Sequence, residues 1–354
     1  MVTLGELAKD LDPSDMLGHI RNFPSDLSKV WGESESWDLS AIENTTFSGV
    51  VCLGMGGSAS GGDFLSCLSD ADGCLPFVSH RGYDLPAWVS ENWLVISTSY
   101  SGNTEETIDA TEAAIGLGCS VVGLSSGGTL QALLEESNQI WIELPGGQPP
   151  RSAFGHIFGA QIALAWRLGI MSAPDNLDAM VGRLAESIEA CDFTQDSEED
   201  VILEIAESIL NHEISVLATQ SLAPSGYRAV CQLNENGGVF ARSHVIPEMN
   251  HNESVAWGGV GSDQDESSID HVLLLLTWQG IHRQVSKRMD WMVAHAATDF
   301  AWKIAGEGNT LLESLLHLCI LMDWISIALA FLHGKDPAAI GPISALKAHL
   351  ESVQ

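Results

Sequence analysis

Gly54-Met-Gly-Gly-Ser-Ala-Ser-Gly-Gly62 follows the apolar run Val50-Val-Cys-Leu53, and Ser99-Tyr-Ser-Gly-Asn-Thr-Glu-Glu-Thr107 follows Leu94-Val-Ile-Ser-Thr98. Each reads as a strand running into a tight loop and then a helix. That combination makes an anion site: glycines let the backbone approach a ligand, free N–H groups point at it, and the helix dipole favours negative charge. The second loop adds the hydroxyls of Ser99, Ser101 and Thr104, donors suited to phosphate oxygens. Two such loops at neighbouring strand ends predict one phosphorylated metabolite held between them.

Outward from these loops, strand-like runs recur at Val50–Leu53, Pro76–Ser79, Leu94–Thr98, Ser120–Leu124 and Ile140–Leu144, with helical patterns after Ser58 and over Asn103–Gly116. Alternation of this kind predicts a parallel, doubly wound α/β sheet, whose ligands sit beyond the carboxyl ends of the strands. Helices are expected over Ser152–Leu168 and Asn176–Ala190, and the polar stretch Thr194–Asp200 reads as a linker. A second α/β half is expected from about residue 200. It has strands at Ile214–Ala218, near Val239, at His271–Leu276 and at Trp302–Ile304, and helices over Gly226–Asn236, Gly280–Ala296 and 310–332. Residues 1–48 read as short amphipathic helices with Asp15 and Ser25 as N-caps. The expected division is therefore 1–48, 49–192 and 200–354.

The chain has 354 residues and a net charge of −32, from 47 acidic and 15 basic residues. So acidic a surface argues against nucleic acid and anionic membranes as partners. Between Lys29 and Arg151 the only basic residue is Arg81, so a phosphate bound in the first half relies on N–H groups and hydroxyls. The seven cysteines (Cys52, Cys67, Cys74, Cys119, Cys191, Cys231 and Cys319) form no CxxC pair and fit a reducing cytosol. Met1–Asp10 carries acidic residues and no long apolar core, so no signal peptide is expected. Thr310–Leu332 is apolar, but Glu313, His317 and Asp323 within it argue for a core helix rather than a membrane span.

The first loop fits a dinucleotide fingerprint only when forced, and it lacks the Gly-Lys-Ser/Thr of a P-loop. Neither reading explains Ser99-Tyr-Ser-Gly-Asn-Thr104. Gly54-Met-Gly-Gly-Ser58, Ser99–Thr107 and Pro149-Pro-Arg-Ser-Ala-Phe-Gly155 together resemble the sugar isomerase (SIS) domain. More narrowly, they resemble the bifunctional phosphoglucose/phosphomannose isomerases. The resemblance continues through Asn234-Glu-Asn236, Glu248-Met-Asn-His-Asn-Glu253 and the pattern from Asp336-Pro337 to Leu346-Lys347, so it covers roughly residues 50 to 350.

The resemblance implies two SIS-type subdomains, each a parallel sheet flanked by helices, in a cytoplasmic homodimer with composite active sites. It implies isomerisation of glucose 6-phosphate and mannose 6-phosphate to fructose 6-phosphate through a cis-enediol, with no cofactor and no metal. Aldose–ketose conversion needs a base for the proton beside the carbonyl, an acid/base to open the ring, and donors for the enediolate oxygens. By the match, Glu235 is the base. His251 opens the ring from the partner subunit, and its near-neutral pKa suits giving and taking a proton. Arg151 stabilises the enediolate and Lys347 reaches the sugar. Gly57 and Ser58 line the sugar end; Ser99, Ser101 and Thr104 hold the phosphate. A phosphosugar sensor that converts nothing, and an isomerase of another sugar phosphate, stay open as alternatives. His244, Glu248, His251 and Glu253 are metal-ligand types, but their spacing matches no standard zinc motif and Pro247 interrupts any helical face.

Overall fold

The computed structural model describes residues 4–72, 75–195, 200–261 and 268–352. Cys74 and the middle of the expected linker (196–199) lie outside the described residues. Two helices open the chain, α1 (Leu4–Leu11) and α2 (Met16–Ser34). The first α/β half follows as β1 (Gly49–Leu53), α3 (Gly56–Asp72), β2 (Phe77–His80), β3 (Trp93–Thr98), α4 (Glu105–Leu117), β4 (Ser120–Ser125), α5 (Gly128–Glu136) and β5 (Ile140–Glu143). Helices α6 (Phe154–Arg167), α7 (Leu177–Cys191) and α8 (Val201–Ser208) lead into the second half. It comprises β6 (Glu213–Thr219), α9 (Ala223–Gln232), β7 (Ala241–Ile246), β8 (His271–Trp278), α10 (Arg283–His295), β9 (Phe300–Gly306), α11 (Leu311–Leu332) and α12 (Gly341–Ser352).

All strand pairs are parallel, in the orders β2-β1-β3-β4-β5 and β7-β6-β8-β9. The order reverses between β1 and β3 in one sheet and between β6 and β8 in the other. A crevice opens at such a reversal because successive crossovers leave to opposite faces. Both glycine loops leave the first sheet at this point, with Leu53 paired to Ser97 at the strand ends.

Alternation along the strands sorts the core into layers. Val50 and Cys52 face a buried cluster that continues through α2, α6 and α11 to Val216 and Leu274 of the second sheet. Val51, Leu53, Val95 and Val121 face the other way, against α4 and α5. Leu217, Leu273 and Leu275 likewise turn outward to Met289 and Met292 of α10. Helix α11 has mean hydropathy 2.1 and is long enough to cross a membrane, but 89% of its most apolar window is buried inside the protein.

Two local expectations are corrected. Asp15 does cap α2, accepting from Gly18 N at 3.2 Å, but Ser25 lies inside that helix and its Oγ donates to Asn22 O at 2.7 Å. Pro24 lies just before Ser25, inside the same helix. The helix runs through it because Phe23, Leu27 and Val30 bury a continuous apolar stripe. The strand expected near Val239 begins at Ala241, because the chain first completes a wide turn over Leu233–Gly237.

Candidate active site

The second loop is held by its own hydroxyls. Ser99 is fully buried; its Oγ donates to Thr104 Oγ1 at 2.8 Å and accepts from Thr104 N at 3.3 Å. Its donor is therefore spent inside the loop, where it orients Thr104. Thr104 precedes α4 without a side-chain cap on it. Ser101 is exposed and its Oγ accepts from Asn103 N at 3.3 Å, leaving its hydroxyl proton for another acceptor. Gly102 sits at φ +71°, and a Cβ there would lie 1.8 Å from Gly127 O, so only glycine closes this loop against the next one.

The first loop meets the second directly: Tyr100 N donates to Ser58 Oγ at 3.1 Å. Tyr100 itself is buried, with its hydroxyl donating to Pro145 O at 2.8 Å, so it packs rather than walls an open pocket. On its other side the first loop touches the turn that carries Arg151. A Cβ on Gly57 would lie 3.2 Å from Pro150 O and 3.5 Å from Arg151 Cα. Pro149 O accepts from Ser152 N at 2.9 Å, closing that turn just before α6.

From this turn the Arg151 side chain reaches into the second half. Its Nε donates to Asn236 Oδ1 at 2.6 Å, its Nη2 donates to Pro337 O, and its Nη1 lies 3.4 Å from Glu235 Oε2. The Arg151 side chain is 5% exposed and that of Glu235 30%. Burial pushes the guanidinium below its ordinary value, opposed by the carboxylates of Glu235 and Asp336. Glu235 stands on the π-helical turn Leu233–Gly237 that widens the end of α9. Such turns add a residue to the helix and redirect side chains, and they recur at functional sites. Lys335 Nζ donates to Gly237 O at 3.2 Å and Gly238 O at 3.3 Å, tying down the carbonyls beyond the turn.

Residues that sequence reasoning missed hold this arrangement. Buried Arg228 pairs with Asp323 at 2.5 and 2.8 Å and also donates to Arg151 O at 3.3 Å. Gln232 donates to Asp323 at 2.7 Å. Burial works against the charge on Arg228, yet Asp323 more than offsets it and holds the guanidinium above its ordinary value. The signal in the sequence was two charged residues within apolar helical stretches, each of which is costly to bury alone.

Glu235, Arg151, Gly57, Ser58, Ser99 and Thr104 thus form one chain of contacts within a single subunit. Lys347, exposed on α12, lines a cleft of about 660 Å³ together with Ser101 and Thr104, so it stands beside the second glycine loop. Clefts of about 640 Å³ along α3 and α9, and of about 720 Å³ beside α7 and β9, include neither glycine loop nor Glu235. His251 is not brought to Glu235. It is exposed on the turn Glu248–His251 after β7, whereas Glu235 precedes β7. Glu253 faces Arg242 and His244 at 3.0 Å each, which accounts for part of the His/Glu-rich stretch as a salt-bridge cluster. Among the described residues, no group of three or more His, Cys, Asp and Glu is arranged to hold a metal ion.

Comparison with known proteins agrees with this architecture. Residues 198–350 match the family described as bacterial phospho-glucose isomerase C-terminal SIS domain. The bifunctional phosphoglucose/phosphomannose isomerase of Aquifex aeolicus is 33% identical over 319 residues, 89% of this chain and 94% of that one. The protein of the same description from Caldicellulosiruptor bescii is 28% identical, covering 96% of this chain and all of its own length. Among solved structures, a hypothetical protein from Thermus thermophilus superposes with TM-score 0.73 at 16% identity, over 99% of this chain and 94% of that one. Likeness to the Aquifex aeolicus enzyme over nearly all of both chains identifies this protein as a member of the bifunctional phosphoglucose/phosphomannose isomerase family.

Proposed function

We propose that this protein interconverts aldose and ketose phosphates, taking glucose 6-phosphate and mannose 6-phosphate to fructose 6-phosphate. The observation that carries the reading is the pairing of a partly exposed carboxylate with a buried guanidinium, Glu235 and Arg151 at 3.4 Å, with Arg151 directly beside Gly57 of the first glycine loop. Phosphate is held by Ser101, Thr104 and the N-terminal end of α4, with Ser99 orienting Thr104. Lys347, from α12 of the second half, adds a positive charge beside a loop whose half of the chain has only Arg81 between Lys29 and Arg151. The sugar then extends past Gly57 and Ser58 toward the pair.

Glu235 removes the proton at C2 of the open-chain aldose, and the electron pair forms the C1–C2 double bond of the enediolate. The charge gathers on oxygen, where Arg151 donates hydrogen bonds. A proton passes from O2 to O1 of the enediolate and Glu235 returns its proton to C1, which leaves the ketose with its carbonyl at C2. These steps require no cofactor. One carboxylate serves both epimeric aldoses because the enediol intermediate has lost the C2 configuration. His251 of the partner subunit opens the ring. The protein is accordingly a homodimer with composite sites, built from an N-terminal helical segment (1–48) and SIS units over 49–192 and 200–354, and it works in the cytoplasm.

The test is a coupled assay for fructose 6-phosphate from each hexose phosphate, run in the presence of a chelator. Turnover of both is expected. Absence of product from either sugar sinks the proposal.

A further inference from the structure

Asn236 has a buried polar side chain, 1% exposed, that the reaction above does not use. In a regular helix, neighbouring residues point about 100° apart and do not share a partner. Here Glu235 and Asn236 both meet the same guanidinium, because the π-helical turn ends beneath Arg151.

The two ends of the Asn236 amide are fixed in opposite directions. Its Oδ1 accepts from Arg151 Nε at 2.6 Å, and its Nδ2 donates to Ser326 Oγ at 2.8 Å. Ser326 Oγ in turn donates to Asp323 O at 2.8 Å, one helical turn back on α11. The amide is thus anchored to the most buried helix of the protein, and its oxygen is aimed by that anchor. The Nε edge of Arg151 is held there, and Nη2 is held by Pro337 O. A planar guanidinium fixed at two of its three nitrogens cannot turn. Only Nη1 is left toward Glu235.

This arrangement decides how the catalytic pair meets. A free arginine fork takes a carboxylate with two parallel N–H···O bonds, which is its strongest geometry. A Glu235 gripped in that way would have both oxygens occupied and would be a poor proton acceptor. The structure instead shows one long contact of 3.4 Å, with the other edge of the guanidinium committed elsewhere.

We propose that Asn236 is a positioning residue of the reaction: it holds the Nε edge of Arg151 so that Nη1 alone faces Glu235 and the carboxylate stays free to take the C2 proton. The inference rests on the roles given to Arg151 and Glu235 above.

Four variants of the full-length protein test it, each assayed for kcat and KM with glucose 6-phosphate and for thermal midpoint. Asn236→Leu keeps the volume and removes the acceptor. Its kcat is expected to fall at least about 30-fold with KM changed less than about threefold, the scale of losing one hydrogen bond to a charged group. Asn236→Asp restores an acceptor for Nε and is expected to keep kcat within about fivefold of the unaltered protein. Ser326→Ala removes only the partner of the amide nitrogen. It is expected to lower kcat by less than Asn236→Leu does, about three- to tenfold, because the amide keeps its acceptor for Nε but loses the anchor that aims it. If Asn236→Leu does not fold, Asn236→Ser takes its place, since a serine hydroxyl is too short to reach Nε; the same kcat loss is expected.

A folded acceptor-free variant with near-normal kcat overturns the proposal. So does an Asn236→Asp protein as impaired as Asn236→Leu, because a merely structural amide would fail in both. Arg151→Gln separates the two levels of the argument. If that variant is fully active, the role given to Arg151 is wrong. If it is impaired while Asn236→Leu is not, Arg151 stands and the positioning role of Asn236 falls.

Discussion

Two inactive variants mixed in one dimer should restore turnover. Strand β7 covers Ala241–Ile246, which at about 3.3 Å per residue spans roughly 17 Å. Glu235 is anchored at its start, since the neighbouring Asn234 Oδ1 accepts from Ala241 N at 3.0 Å. His251 lies past its end, beyond Pro247, on the turn Glu248–His251. Glu235 thus stands at one end of β7 and His251 beyond the other, and on the proposed reading a site that uses both draws them from two subunits. Glu235→Gln and His251→Ala homodimers should each be inactive. In the heterodimer, one composite site carries both substitutions and the other carries neither. Random exchange makes about half of the dimers heterodimers, so the mixture should recover roughly a quarter of full activity. The assay is fructose 6-phosphate formation after subunit exchange, with the two variants tagged differently so that the heterodimer can be isolated. The isolated heterodimer should show about half of full activity. A heterodimer as inactive as its parents would mean that each site takes both residues from one subunit, and would refute the argument from β7.

Replacing Glu235 by Gln should lower kcat by at least about 100-fold while a phosphosugar still binds; calorimetric titration beside the coupled assay separates the two effects. Replacing Ser101 and Thr104 together by Ala should raise KM for glucose 6-phosphate and spare kcat, since these hydroxyls touch a phosphate that does not react; an unchanged KM would move the phosphate elsewhere. Asp26 packs against His156 with 3.4 Å between Oδ1 and Nε2, and burial raises its carboxyl from 3.8 to about 6 while lowering His156 to about 4. Because the folded value of Asp26 is raised, the stability linked to this group is full below the ordinary carboxylate range and is lost as pH rises through about 6. Asp26→Asn should therefore be more stable than the unaltered protein by about 2 kcal/mol at pH 8 and no more stable at pH 3.5, as read from denaturant midpoints. An equal difference at both pH values would show that the carboxyl is not the cause.

The strands and both loops were legible in the sequence because they depend on local signals: apolar runs of strand length, glycine clusters and their spacing. The resemblance then pointed to Glu235 and Arg151, and the fold brings them to 3.4 Å across 84 residues of chain. What holds them was not legible. Asn236 and Pro337 hold the Arg151 guanidinium, Arg228 holds the Arg151 carbonyl and Asp323 holds Arg228, and no local pattern records that convergence of distant segments. The setting of Ser99 was not legible for a similar reason: its residue type marks it as a donor, and only the fold shows its hydrogen bond to Thr104 Oγ1. At Ser25 a local rule competed with a tertiary one: Pro24 signals a break, and the packing of α2 against the core overrides it.

Helix α11 sets the order in which the protein can become whole. It packs on α2, α7, α8, α9 and β9, all of which come earlier in the chain. A nascent chain stopped before Leu311 therefore has both sheets but no common wall between them, and Asp323 is missing from the buried Arg228. The apolar faces that α11 will cover stay open to water, and to other chains, until it is synthesised. Completion is then a late, concerted event in which one long apolar helix seals the core and, through Asp323 and Ser326, fixes the polar contacts behind Arg151 and Asn236. A ribosome-bound fragment lacking this helix should be captured by a chaperone and have no isomerase activity, even though every glycine-loop residue has already been made.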